Sequence, residues 1–188
     1  MKRTLAGLIA IFTIGMTSVF SQAQNTTTYI ASVEPTNISK VDLSIAFFDR
    51  TMYYPGDAEM NPVNVKISMT NRSAETVRFK IADDRMFSVD FKGLTVKNRE
   101  LQQTENLRRK RATSQTVYFR DVVLEPGEEF SFVENVKDYL KIEEPSIYYI
   151  ELKLYPELYQ NTKVSLSSNR LSLDVRPSPS AAASAVLP

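Results

Sequence analysis

The sequence predicts an all-β protein, an immunoglobulin-like antiparallel β-sandwich of about eight strands with one long polar insertion. Three observations predict it. Apolar and polar residues alternate with a period of two through one run after another. Two Pro-Gly pairs, Pro55-Gly56 and Pro126-Gly127, sit between runs as turn signals. Proline presets the backbone for a turn's second position and glycine accepts the positive φ of the third. Helical periodicity is scarce throughout. A closed barrel of the same strands is the alternative architecture.

Each strand is legible in turn. Val41, Leu43, Ile45 and Phe47 share a face, with Asp42 and Ser44 opposite. Val63, Val65, Ile67 and Met69 alternate with Asn64, Lys66, Ser68 and Thr70, and Asn71 to Glu75 forms a turn. Val77, Phe79 and Ile81 follow, then Phe87, Val89 and Phe91. In the second half Val117 and Phe119 form a run, and Phe130 and Phe132 flank Ser131. Tyr148, Ile150, Leu152 and Leu154 make a longer run, and Leu171, Leu173 and Val175 close the series. Sustained alternation of this kind means antiparallel strands with one wet face.

The ends read differently. Lys2 and Arg3 precede a largely apolar stretch from Leu5 to Phe20, and Ser21-Gln22-Ala23 places small residues before a break at Gln24. This is the layout of a secretory signal peptide over residues 1–23, cleaved after Ala23, with a retained anchor as the alternative. Residues 24–40 read as a flexible leader, 41–176 as the sandwich, and 177–188 as a disordered Pro/Ser/Ala tail. No transmembrane span is expected after cleavage.

Composition removes whole function classes. The chain has no His, Cys or Trp, so imidazole bases, thiolates, disulfides and the common zinc and iron–sulfur sites are excluded, and no cofactor is expected. Taking Lys2 and Arg3 from the 23 basic residues leaves 21 against 22 acidic, a net charge of −1. A nucleic-acid binder would carry a clear basic excess. An exported chain without cysteine suits a bacterial periplasm or cell surface.

The strand rhythm breaks longest from Asn98 to Ser114, where a short exposed helix or a long ordered loop is expected. It contains Arg108, Arg109, Lys110 and Arg111, four adjacent cations that fit an anionic envelope polymer or an acidic patch on another envelope protein. The plain alternative is a solvated insertion whose charges repel one another and add nothing to a core. Tyr53-Tyr54 and Tyr148-Tyr149, with Tyr155 and Tyr159, fit either sugar stacking or sheet packing. Asp83-Asp84, Glu128-Glu129 and Glu143-Glu144 lie in or beside turns and read as solvated. Carboxylate catalysis needs two such groups facing each other about 5 to 10 Å apart. No calcium-loop spacing is present around Asp83, Asp84 and Asp90, and no metal site is expected.

The stretch from Val63 to Tyr155 resembles bacterial immunoglobulin-like modules of the BsuPI type, named for an intracellular proteinase inhibitor. The resemblance lies in Val65-Lys66-Ile67-Ser68-Met69-Thr70-Asn71, in Val77 and Phe79, in Leu124-Glu125-Pro126-Gly127-Glu128-Glu129-Phe130, and in a late strand ending Leu152-Lys153-Leu154-Tyr155. It implies the sandwich fold and, as a functional alternative, proteinase inhibition through the Asn98–Ser114 segment. The expectation from the residues themselves is a non-catalytic, exported module that binds or scaffolds a partner in the bacterial envelope. A glycan-acting enzyme using carboxylates alone is the remaining alternative.

Overall fold

The computed structural model describes residues 38–49, 52–56, 58–156, 158 and 164–177. The expected signal peptide, nearly all of the leader and the tail beyond Pro177 lie outside these residues, as does Tyr159. The described chain opens with a 3-10 turn, Ile38–Lys40, whose Ile38 is buried, so packing begins inside the segment expected as leader.

Nine strands follow: β1 (Val41–Phe47), β2 (Asn64–Asn71), β3 (Val77–Ala82), β4 (Val89–Thr95), β5 (Phe119–Leu124), β6 (Glu129–Asn135), β7 (Ser146–Leu154), β8 (Leu166–Ser167) and β9 (Leu171–Val175). Two short helices interrupt them, α1 (Glu105–Ala112) and α2 (Val136–Tyr139). Strands β1, β2 and β6 form one antiparallel sheet, and β3 pairs with β5. Strand β7 pairs with β4 on one side and with β8 and β9 on the other. The fold is an all-β sandwich, and no sheet closes into a barrel.

Alternation in the sequence becomes alternation in burial. In β1 Val41, Leu43 and Ile45 are buried while Asp42, Ser44 and Ala46 are exposed, and β2 repeats the pattern. The buried residues of every sheet join one apolar cluster, from Ile38 to Val175. Burial of such side chains is worth about 1.5 to 3 kcal/mol each, which is how a domain without disulfides holds together. Phe87 belongs to a 3-10 turn, Arg85–Phe87, capped by Asp84, and is buried from there; β4 starts only at Val89. The expected strand near Val117 begins at Phe119 instead.

Both Pro-Gly turns form as expected, Gly56 with φ of 114° and Gly127 with φ of 82°. Gly93 answers a different need: a Cβ there would stand 2.6 Å from Leu101 Cδ1 and 2.8 Å from Leu140 Cδ1. Two loops thus rest directly on the β4 backbone.

Asn71, at 0% exposure, joins three segments. Its Nδ2 donates to the carbonyls of Glu75 (2.7 Å) and Leu124 (2.9 Å), and its Oδ1 accepts from the Ser73 backbone N–H (2.9 Å) and hydroxyl (2.7 Å). Its backbone N–H donates to Glu128 O, and its carbonyl accepts from Gly127 N–H. The β2–β3 turn and the end of β5 therefore meet on one side chain, and the Pro126-Gly127 turn on the backbone of the same residue. Leaving buried backbone groups unpaired costs about 1 to 3 kcal/mol apiece. Asn71→Ala should lower the unfolding free energy by about 3 kcal/mol or more in urea denaturation, whereas Asn64→Ala on the wet face should shift it by under about 0.5 kcal/mol.

Candidate functional site

The expected insertion is a helix, and it is docked rather than free. Thr104 caps α1, its hydroxyl accepting from Leu107 N–H (3.2 Å) and donating to the Asp138 carbonyl (2.7 Å). Thr104 N–H donates to Tyr139 O, and Lys141 N–H donates to Gln102 O, so the approach to α1 is laced to α2. Leu107, the apolar residue of the helix, is fully buried.

The four cations separate by role. Arg111 is 5% exposed in its side chain. It donates through Nε to Met86 O (2.9 Å), through Nη2 to Val89 O (2.8 Å), and through Nη1 to Asp90 Oδ1 (3.0 Å), an atom that also accepts from Gln103 Nε2. Lys110 is paired with Asp84, and Arg108 with Glu105. Arg109 is exposed and belongs to no ion pair among the described residues. The reading of a run that repels itself and adds nothing to a core therefore fails at Arg111 and Lys110. Placement in the last helical turn supplies a second favourable term, because cations there face the negative end of the helix dipole. What faces solvent is Arg109, flanked by the Arg108–Glu105 and Lys110–Asp84 pairs.

The acidic residues are similarly tied. Asp83 accepts from Arg120 (2.8 Å), Glu129 from Lys66 and Ser68 (both 2.9 Å), and Glu128 from Glu125 N–H (2.8 Å). Among the described residues no group of three acidic side chains is placed to hold a metal ion. Tyr53 and Tyr148 are buried, whereas Tyr149 and Tyr155 are half-buried; Tyr149 lies under the Arg170 guanidinium at 5.9 Å.

Sequence reasoning missed a cluster beside α1. Tyr139, fully buried, donates to Glu134 Oε2 (2.9 Å) and meets the Phe91 ring edge-on at 4.9 Å between centroids. Arg85 lies 5.0 Å over the Phe132 ring, close enough to Glu134 to interact with its charge. Burial pushes the Glu134 and Asp138 carboxyls up from their ordinary range, and burial beside Glu134 pushes the Tyr139 phenol up strongly. No local pattern marks these residues, because β6 and the 3-10 turn bring them together from distant positions.

A family model described as "Flagellar collar protein C, N-terminal domain" matches residues 42–176. The matching family is thus a bacterial envelope one, and not the BsuPI type. No curated protein sequence matches the chain. Among solved structures, a β-glucuronidase from Bacteroides uniformis is similar at 11% identity and a TM-score of 0.37, over 71% of this chain and 13% of the enzyme. A β-glucosidase from Listeria innocua in complex with gluconolactone is similar at 12% identity and a TM-score of 0.36, over 72% of this chain and 16% of the enzyme. The chain thus spans a small part of either enzyme.

Two outcomes follow from the geometry. Arg111→Ala should cost about 2 to 4 kcal/mol, since it removes a buried side chain and strips a half-buried carboxylate and two carbonyls of a donor, while Arg109→Ala should stay within about 0.5 kcal/mol; chemical denaturation separates them. Glu134 holds its proton to higher pH in the folded than in the unfolded chain, so its contribution to stability is fullest in acid and falls as pH rises through its titration. Glu134→Gln keeps an acceptor for Tyr139 but cannot titrate. Its stability relative to wild type should rise as pH increases above about 4.5, read by denaturation at each pH.

Proposed function

Because the chain belongs to the family of the flagellar collar protein C N-terminal domain, we propose that it is a non-catalytic structural unit of a flagellar collar in the bacterial envelope. The match across residues 42–176 carries the reading, since it takes in the whole sandwich together with the docked helix. Residues 1–23 deliver the chain across the inner membrane, and the sandwich works in the periplasm. Its partner is another envelope protein with an acidic surface, met by Arg108, Arg109 and Lys110. Arg111 serves as the fastening that holds these cations at a fixed angle. The geometry supports that division of labour: a contact surface on a helix is specific only if the helix cannot swing, and Leu107 and Arg111 prevent swinging. The same docking disfavours the inhibitor alternative, because the segment that would serve as the inhibitory loop is a capped helix.

Electron cryotomography of cells lacking the chain provides the test. Collar density around the flagellar motor should be lost or reduced while the rotor and rod persist, and an unaltered collar would overturn the proposal. In the same cells, Arg108→Ser/Arg109→Ser/Lys110→Ser should lower recovery of the crosslinked partner. Capture by the unmutated chain should weaken with added salt, as exposed charges are screened over about 8 Å at physiological ionic strength.

A further inference from the structure

A sheet edge is an unfinished row of hydrogen bonds, and this chain covers part of three of its edges itself. At β1 the Asn169 amide takes both outward groups of Ile45, accepting from its N–H (2.8 Å) and donating to its carbonyl (3.0 Å). At β4, Leu101 N–H donates to Gly93 O, and Thr95 N–H donates to Arg99 O. At β9, Arg176 N–H donates to Tyr53 O, and Tyr53 bridges Val175.

Strand β6 has no such cover among the described residues, for it pairs with β2 alone. Val136 N–H donates to Val63 O and Asn71 N–H to Glu128 O, which places the odd-numbered residues of β2 toward β6. In the antiparallel register Phe130, Phe132 and Glu134 return those bonds. The N–H and C=O groups of Ser131 and Val133 therefore point off the sheet. Val133 is 40% exposed. Strands β3 and β5 are open in the same way, but Arg78 and Lys80 stand in the one and Arg120 and Asp121 in the other, and charged side chains blunt an edge. The centre of β6, Phe130-Ser131-Phe132-Val133, is uncharged.

We propose that β6 pairs antiparallel with β6 of a second copy of this chain, joining two three-stranded sheets into one six-stranded sheet across a two-fold axis. The charge pattern favours a second copy as the occupant. Centred on Phe132, the pairing sets Ser131 opposite the second copy's Val133, Glu129 opposite its Asn135, and Phe130 opposite its Glu134. No like charges face each other, and Glu129 is already paired with Lys66. The register also places the outward backbone groups of Ser131 and Val133 against those of the second copy. A formal net charge of +1, or −1 without Lys2 and Arg3, leaves little long-range repulsion between copies.

Sedimentation equilibrium of the full chain tests this. At tens of micromolar the wild type should sediment as a species of twice 21.3 kDa. Ser131→Lys/Val133→Lys sets lysines opposite lysines across the seam and should raise the dimer dissociation constant at least about tenfold. Ser131→Glu/Val133→Glu should do the same alone, and mixing the two variants should restore association. Val123→Lys, on the β5 edge, should leave the dimer intact. Hydrogen exchange on the wild type gives a reading free of mutation: protection of the Ser131 and Val133 amides should rise with protein concentration. A monomeric wild type, association unaltered by the lysine pair, loss through Val123→Lys alone, or concentration-independent exchange would each overturn the proposal.

Discussion

A sandwich whose strands alternate between sheets has to turn corners, and corners expose backbone polar groups to the edge of the core. Here that problem is concentrated at the end of β2, where the chain leaves the β1–β2–β6 sheet for the β3–β5 pair and where β5 hands over to β6. Asn71 resolves both crossings with a single amide. A carboxylate could not donate to the Leu124 and Glu75 carbonyls, and an aliphatic residue could not satisfy Ser73. A glutamine is one methylene too long for a fully enclosed site. The relative placement of the β1–β2–β6 sheet and the β3–β5 pair therefore depends on one neutral, bifunctional side chain.

Apolar docking and polar docking divide the remaining work. Leu107 enters the core and sets how close α1 lies, while Arg111 selects its orientation by reaching two carbonyls and a carboxylate at once. A guanidinium suits this task because its donors are held in one plane and can meet several acceptors on neighbouring strands together. Asp90 keeps the arrangement neutral, so the buried charge is compensated.

The strands were readable because period-two alternation is a local property of a half-buried sheet. Strand β1 runs over Val41–Phe47, and the runs at β2, β3, β7 and β9 fall where alternation puts them. Strand β8 is two residues long and carries too little pattern to be found. Helix α1 has one apolar residue facing inward, so its amphipathic signal is weak, and only the helix propensity of the basic run and of the residues before it hinted at it. The basic run was visible at once, yet its division into a buried fastener and exposed cations was not. That division depends on Met86, Val89 and Asp90, which the fold places beside α1 from another part of the chain. Glu134, Arg85 and Tyr139 were silent for the same reason.

Arg111 is held by the main-chain carbonyls of Met86 and Val89, as the Asn71 Nδ2 is by those of Glu75 and Leu124. Such contacts recognise the path of the chain and are blind to the side chains hung on it. A residue such as Met86 can change without the fastening noticing, provided the backbone keeps its course. The surface of the domain is thereby free to diversify toward different partners while the pose of its helix is inherited unchanged.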